Sequence, residues 1–270
     1  MPELMKGKRG LVMGVANDHS IAWGIARALA AEGAELAFSH QGEALLRRVQ
    51  PLAAQVGSDL LVDVDVMDEA RMDAAFARLA DAWGSLDFVV HAIAYSDKSE
   101  LTGRFIDTSL ANFQKTLAIS CYSLIDVARR SRPLMVSQDE GLQGGSIMTL
   151  TYQGSNKVTP FYNVMGVAKA GLEATVRYLA NDLGPEGIRV NAISPGPMKT
   201  LAGAAIGGAR RTFRHTGENA PLRMNATLEA VGGTAVYLAS DHGACTTGEI
   251  IHVDSGYHIL GMPQSENLKA

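Results

Sequence analysis

Short runs of apolar residues alternate along the chain with longer segments in which apolar residues recur every three or four positions. The short runs are typical of buried strands, and the longer segments are typical of amphipathic helices. The predicted strands are Gly10–Gly14, Glu35–Ser39, one within Asp59–Val66, Leu86–His91, Ser146–Thr151, Ile188–Ile193 and Glu249–Val253. The predicted helices are Ile21–Glu32, Glu43–Gln55, Glu69–Trp83, Leu110–Arg130, one from near Tyr162 to about Leu183, and Thr227–Leu238.

Glycine and proline mark several of these boundaries. Gly33, Gly84 and Gly184 follow predicted helices, where a left-handed glycine commonly ends a helix. Pro51 lies within Glu43–Gln55 and is expected to kink that helix or to restart it.

The alternation of strands and helices predicts one α/β domain over residues 1–270. Its expected architecture is a Rossmann-like, doubly wound, mainly parallel seven-stranded sheet with helices on both faces. Apolar runs such as Phe88–Val90 suit a sheet that is covered on both faces. Ligands of such sheets bind at the carboxyl ends of the strands. Here those ends are Gly14, Ser39, Asp65, His91, Thr151 and Ile193.

Charge and cysteine content narrow the class of function. The chain has 24 Lys and Arg against 28 Asp and Glu, a net charge of −4, without the basic excess typical of nucleic-acid or membrane-surface binding. No uncharged apolar run approaches the ~18 residues of a membrane span. The two cysteines, Cys121 and Cys245, imply no disulfide framework. We therefore expect a cytoplasmic protein with no nucleic-acid partner, no membrane partner and no bound metal.

The first strand-to-helix turn carries a candidate phosphate site. Gly14, Ser20 and Ala22 are small residues that let a pyrophosphate approach the backbone, and the following helix offers free N–H groups at its positive end. The turn lacks the G-x-G-x-x-G pattern, so an ordinary glycine-containing turn is an equal alternative.

Other strand ends supply candidate contacts for a dinucleotide. Asp65 and Val66 are placed to meet an adenine edge, and Ile93 is placed near a ribose. For Asp65 by itself, a helix-capping or solvated aspartate is the alternative. Gln41 stands where an acid would bind the adenosine 2′-hydroxyl or an arginine a 2′-phosphate, and it brings no charge. This pattern predicts NADH rather than NADPH. For His91, a packed core histidine is favoured over a ligand.

Tyr162 and Lys169 form the candidate catalytic pair. Seven residues of helix turn through about 700° and rise ~10.5 Å, so both side chains lie on one face near the sheet edge. A tyrosine beside a cation can donate a proton or stabilise an oxyanion. By spacing alone, an interfacial tyrosine and a surface lysine are the alternative.

These residues together resemble a known family. Tyr162 and Lys169, with Tyr152 ten residues upstream and the Gly14 to Ala22 loop, are similar to bacterial NADH-dependent enoyl-acyl-carrier-protein reductases of the short-chain dehydrogenase/reductase superfamily. The segments 190–197 and 248–256 also match that superfamily. The resemblance extends from about Gly7 to Ile259.

The resemblance implies NADH as cofactor and an enoyl-acyl-carrier-protein of type II fatty acid synthesis as substrate. It implies cofactor contacts from Gly14, Ser20, Ile21, Gln41, Asp65, Val66, Ile93, Lys169, Met198, Lys199, Thr200, Leu201 and Ala202. It implies an acyl pocket lined by Ser96, Tyr152, Tyr162, Met165, Ile206 and Phe213. Tyr152, Tyr162 and Lys169 are then the catalytic residues: Tyr162 bonds the thioester carbonyl as it becomes an enolate, and Lys169 binds the nicotinamide ribose. A homotetramer is typical of the family and suits a charged content of 19%.

Two other functions remain open. A short-chain reductase acting on a carbonyl, such as a 3-oxoacyl reductase, is expected to carry Tyr-x3-Lys and a helix asparagine. Here Gly166 and Ser120 stand at those positions, which favours the enoyl reductase. A nucleotide-sensing protein without catalysis could share the fold but would not need Tyr162 and Lys169 together.

The segment near 198–216 is predicted to be a substrate lid. Gly203, Gly207 and Gly208 lie in an apolar stretch that forms a marginal helix. We expect this segment to become ordered when cofactor and an acyl ligand bind.

Overall fold

The seven strands in the described part of the chain join one parallel sheet. The computed structural model describes residues 3–136, 144–200 and 208–268. The sheet order is β3-β2-β1-β4-β5-β6-β7, and every neighbouring pair is parallel. The strands are β1 (Arg9–Met13), β2 (Glu35–His40), β3 (Leu61–Asp63), β4 (Phe88–His91), β5 (Gly145–Leu150), β6 (Ile188–Pro195) and β7 (Ile250–Val253). The predicted doubly wound α/β class is confirmed, and the sheet is parallel throughout.

Helices connect the strands. They are α1 (Ile21–Ala31), α2 (Gly42–Gln55), α3 (Glu69–Trp83), α4 (Lys98–Leu101), α5 (Leu110–Leu117), α6 (Ser123–Met135), α7 (Asn163–Leu183), α8 (Ala209–Asn219) and α9 (Leu228–Ala239). The apolar pattern alone does not predict α4 or α8. In the described part of the chain, no helix has the length and apolar character needed to cross a bilayer.

The sheet is buried on both faces, as the apolar strands predict. Leu11 and Met13 of β1 pack into a core with side chains of α3, α6 and α7. Val12, between them, packs into the opposite core with side chains of α1, α2 and α9. Successive strand residues point to opposite faces, so one apolar run supplies both cores.

The predicted helix Leu110–Arg130 is present, but it runs on to Met135 and is not α-helical throughout. The chain forms α5, then one π-helical turn at Ala118–Tyr122, then α6. Within this turn the Ser120 hydroxyl donates to the Tyr95 carbonyl at 3.0 Å and accepts from the Tyr95 N–H at 2.9 Å. A π turn inserts one residue without a break in polarity, so the apolar spacing does not reveal it.

Gly33, Gly84 and Gly184 follow the ends of their helices as predicted, but Gly184 is not left-handed. Gly84 has the predicted left-handed conformation (φ 72°), but Gly184 has φ −54° and begins a short turn instead. The left-handed glycine there is Gly187, at φ 75°. Pro51 lies inside α2, which continues to Gln55, so the helix does not restart at the proline.

Part of the predicted lid lies outside the described residues. Residues 201–207 are in that part, and with them the predicted site residues Leu201, Ala202 and Ile206. The described remainder of the segment forms most of α8, which follows Gly208 at φ 73°. The lid stays a prediction.

Candidate active site

The carboxyl ends of the strands surround an elongated cavity of about 580 Å³. Most of the predicted cofactor residues line it together, although they come from separate parts of the chain. They are Gly14, Ser20, Ile21, Gln41, Asp65, Val66, Ile93 and Thr200. The fold therefore brings these residues together around one cavity at one edge of the sheet, and the cavity is large enough to hold much of a dinucleotide.

The loop after β1 is shaped by a close backbone approach. Gly14 has φ +93°, and a Cβ built there would stand 2.1 Å from the carbonyl oxygen of Ala92. The Ser20 hydroxyl accepts hydrogen bonds from the N–H groups of Ala16 at 3.0 Å and Asn17 at 3.1 Å, which orders the loop. The first N–H groups of α1 have no acceptor within the helix and favour a phosphate.

Asp65 lines the end of this cavity next to Gln41, and Asp63 lies nearby through a shared arginine partner. The Gln41 amide donates to Asp65 at 2.8 Å. Arg71 pairs with Asp63 at 2.5 Å and with Asp65 at 3.5 Å. Burial alone would raise the pKa of Asp63, but hydrogen bonds from the Gly42 N–H and from Arg71 hold that pKa below its usual value.

A second cavity of about 570 Å³ adjoins the first. Ile21, Ile93 and Thr200 line both cavities, so the two share a wall. Its other lining residues include the predicted Ser96, Tyr152, Tyr162, Met165, Lys169 and Met198. A bound nucleotide and a mainly apolar ligand could therefore meet at the shared wall.

Tyr162 lies at the amino end of α7, immediately before Asn163, and the residue is only 6% exposed. The ring centroid is 5.3 Å from that of Tyr152, with an interplanar angle of 65°. Burial raises the pKa of the Tyr162 hydroxyl, with smaller contributions from Tyr152 and Glu173. The hydroxyl is therefore protonated at neutral pH and is available as a hydrogen-bond donor.

Lys169 lies two turns into α7 and is 5% exposed. Its ammonium donates to the carbonyl oxygen of Leu150, at the end of β5, with a distance of 2.7 Å. Burial lowers the pKa of Lys169 to about 8, against opposing contributions from Cys121 and Glu173. The lysine is therefore still mainly protonated at neutral pH.

Gly166 separates these two side chains, and its place in the helix is crowded. A Cβ at Gly166 would stand 2.7 Å from the carbonyl oxygen of Gly154, in the turn after Tyr152. The helix and this turn are in near backbone contact, so a lysine at position 166 has no room. The cation is instead one turn further along, at Lys169.

Lys199 and Phe213 lie apart from the two joined cavities. The Lys199 ammonium is 4.8 Å from the centroid of the Phe213 ring. Both residues line a third cavity of about 540 Å³, beside Trp23 and with Met198 and Thr200 in its wall. Phe213 is not one of the described residues that line the second cavity, which contains Tyr162. The structure therefore does not bring Phe213 to the predicted acyl pocket.

His91 has the core position that the sequence favours. It is completely buried, with one ring nitrogen 3.0 Å from the Thr149 hydroxyl and the other 2.8 Å from the Ser123 hydroxyl. Burial lowers the pKa of His91 to about 3, so the ring is neutral.

The sequence analysis did not assign several residues of the cavity that contains Gly14 and Asp65, among them one tyrosine and two lysines. Tyr95, Lys98 and Lys115 line it, and the Lys115 ammonium lies 4.7 Å from the centroid of the Tyr95 ring. Tyr95 and Lys98 follow the strand end that carries Ile93, which is the signal that could have indicated them. Lys115 belongs to α5 and reaches the cavity only through the fold.

Comparisons with known proteins agree with this arrangement. A family profile described as "Enoyl-(Acyl carrier protein) reductase" matches residues 14–258. A curated relative from Rhizobium meliloti (strain 1021), "Enoyl-[acyl-carrier-protein] reductase [NADH] 2", is 57% identical over 269 residues, which cover 100% of this chain and 98% of the relative.

Solved structures show the same likeness. An Anaplasma phagocytophilum enoyl-acyl-carrier-protein reductase in complex with NAD has a TM-score of 0.92 at 54% identity, with 97% of each chain covered. A Bacillus cereus enoyl-acyl carrier protein reductase with NADP+ and indole naphthyridinone has a TM-score of 0.92 at 48% identity, covering 96% of this chain and 99% of that one. The chain therefore belongs to the enoyl-acyl-carrier-protein reductase family.

Proposed function

We propose that the protein catalyses the NADH-dependent reduction of the trans-2 double bond of an enoyl-acyl-carrier-protein thioester. The observation that carries this proposal is the buried pair of Tyr162 and Lys169 in the wall of an apolar cavity that adjoins a dinucleotide-sized cavity. The family membership and the NADH-dependent relatives support it.

The residues present fit a bound NADH. A side chain at Gly14 would clash with the backbone of Ala92, so glycine is what lets the loop after β1 lie against the end of β4 and lead into α1. The amino end of α1 favours the pyrophosphate, and Lys169 would hold the nicotinamide ribose. When bound, NADH supplies the hydride that reduces carbon 3 of the enoyl thioester.

Tyr162 stabilises the charge that the reaction creates. As the double bond is reduced, negative charge grows on the thioester oxygen. The raised pKa of the buried hydroxyl keeps its proton in place, so Tyr162 donates a hydrogen bond to that oxygen. Tyr152 packs against the Tyr162 ring and restricts its orientation. Carbon 2 then takes a proton to complete the product.

Lys169 positions the cofactor and adds positive potential. Its bond to the Leu150 carbonyl holds the ammonium at the end of β5 and leaves further N–H donors for ribose hydroxyls. The burial of the ammonium strengthens its field at the developing enolate, because charges interact more strongly away from water.

The adenosine end favours NADH over NADPH. A 2′-phosphate would meet the carboxylates of Asp63 and Asp65, and Arg71 is already paired with both. Arg47 is paired with Glu43 at 3.2 Å. We expect kcat/KM to be higher with NADH, and a higher value with NADPH would contradict this assignment.

The decisive experiment follows the loss of NADH absorbance with three substrates. A 2-enoyl thioester is expected to be reduced, whereas a 3-oxoacyl thioester and a simple ketone are expected to react slowly or not at all. Faster turnover of the 3-oxoacyl thioester would overturn the enoyl assignment. NADH binding without turnover of any of the three would favour a nucleotide sensor.

We also propose that the chain assembles as the homotetramer typical of this family. Tyr122 and Ile125 of the α6 region and Val167 and Tyr178 of α7 are exposed apolar residues on two helices that pack together. A shared subunit interface would cover them. Sedimentation should give four times the 28.6 kDa chain mass, and Tyr178→Glu should lower it. The cytoplasmic location also remains a proposal, which cell fractionation would test.

A further inference from the structure

One turn beyond Lys169, α7 carries a half-buried carboxylate that the proposed mechanism does not use. Glu173 accepts a hydrogen bond from the hydroxyl of Thr151 at 2.7 Å. Thr151 is buried and lies between Leu150, whose carbonyl binds the Lys169 ammonium, and Tyr152. Two hydrogen bonds, one helical turn apart, therefore fasten the end of β5 to α7.

We propose that Glu173 is a positioning residue for the reductase reaction, which fixes the end of β5 through Thr151 and balances the buried charge of Lys169. Its effect on catalysis rests on the proposed function. The effect on NADH binding does not depend on which substrate is reduced, since it requires only the geometry around α7 and an NADH ribose held by Lys169.

The local charges support this role. Lys169 is almost completely removed from water, and burial penalises its charged form. The negative charge of Glu173 raises the pKa of Lys169 and also that of Tyr162. Besides Tyr162, the titratable groups that interact with Lys169 or Glu173 come from the π turn, β4 and β7: Cys121, His91 and His252. Tyr152, after β5, acts on Tyr162. His91 is neutral, so it adds no charge of its own at neutral pH.

The two parts of the proposal are separable by substitution. Glu173→Gln removes the charge but keeps an oxygen that accepts from Thr151. Thr151→Val removes the hydroxyl but leaves the charge of Glu173, and Thr151→Ser restores the hydroxyl. Asp182→Asn is the matched control, because it removes a carboxylate from an exposed position on the same helix.

The test measures NADH affinity by fluorescence at pH values on either side of 8, near the pKa of Lys169. The full-length protein should bind NADH more weakly as Lys169 loses its proton. In Glu173→Gln the midpoint of that loss should move down by about 0.5 to 1 pH unit. In Asp182→Asn the midpoint should stay in place.

Thr151→Val should keep the wild-type midpoint but lower kcat with a 2-enoyl thioester by roughly tenfold, because Tyr152 and Tyr162 lose part of their support. Thr151→Ser should recover most of that loss. A lowered kcat with an unchanged pH midpoint of NADH binding is not expected of a residue that only supports folding.

An unchanged midpoint in folded Glu173→Gln would overturn the charge role. If that variant fails to fold, Glu173→Asp keeps the charge on a shorter side chain and should retain the wild-type midpoint with a reduced kcat. A lowered midpoint in Glu173→Asp would equally overturn the proposal. If no enoyl thioester is reduced but the Glu173→Gln midpoint still moves, the proposed function fails while the effect of Glu173 on Lys169 stands.

Discussion

Gly166→Ala separates helix propensity from close packing in the active site. In an exposed helix interior, alanine in place of glycine stabilises a protein by about 1 kcal/mol. At Gly166, however, the new Cβ would stand 2.7 Å from the carbonyl oxygen of Gly154. That oxygen belongs to the backbone of the turn after Tyr152, which cannot rotate away as a flexible side chain could.

The size of the effect follows from this distance. Ordinary van der Waals contacts of a Cβ begin at 3.4 Å, so α7 and the turn must separate by the difference between 3.4 and 2.7 Å, about 0.7 Å. Displacement of catalytic groups by ~1 Å can cost about 100-fold in rate. We therefore expect kcat to fall by roughly 10- to 100-fold. The free energy of unfolding should change by less than about 1 kcal/mol, because the propensity gain offsets the strain.

The assay compares kcat with a 2-enoyl thioester, NADH affinity and thermal unfolding. NADH affinity should change little, because Lys169 lies on the next turn and keeps its bond to Leu150. Gly233→Ala is the matched control, since Gly233 lies inside α9 and a Cβ there meets nothing within 4 Å. It should stabilise the protein by about 1 kcal/mol and leave kcat unchanged. If Gly166→Ala behaved in the same way as this control, the close approach to Gly154 would be refuted.

Three further predictions concern single side chains. Tyr162→Phe should lower kcat by about 10²- to 10³-fold with little change in NADH affinity, because the lost hydrogen bond forms mainly in the transition state; equal losses in affinity would contradict that role. Lys169→Met should weaken NADH binding at neutral pH. It should also abolish the decline in NADH affinity above pH 8, where the wild-type ammonium loses its proton. The affinity is measured by NADH fluorescence across this pH range, and a decline that persists in the variant would mean that another group causes it. Ser120→Ala leaves the N–H and carbonyl of Tyr95 without their partner. It should destabilise the protein by roughly 1–3 kcal/mol in denaturant unfolding, and an unchanged midpoint would show that water replaces the hydroxyl.

Local sequence determined the fold class. The strands are continuous apolar runs because both faces of the sheet are buried, and the helices carry an apolar stripe because one side packs on that sheet. The apolar run of a strand and the apolar stripe of a helix can each be recognised within a single segment of the chain. For this reason α3 matches the predicted range Glu69–Trp83, and most other elements end within one or two residues of their predicted positions.

Local sequence also indicated the centre of the candidate site. Tyr162 and Lys169 lie seven residues apart near one end of one helix, so helical geometry alone brings them to the same cavity. Gly14 was indicated in the same way, because it lies in the short loop between β1 and α1, which follow each other along the chain. The predicted core role of His91 is confirmed as well, although its partners Thr149 and Ser123 come from other elements.

Only the tertiary structure decided the contacts between distant segments. The hydroxyl of Ser120 reaches Tyr95, Glu173 binds Thr151, and Gly166 meets the backbone of Gly154. Each of these contacts depends on how α7, the π turn and the strand ends pack together, and no periodicity along the chain encodes such a distance. Sequence patterns record which face of an element is buried, whereas the identity of the atom on the other side is set by packing across the whole sheet.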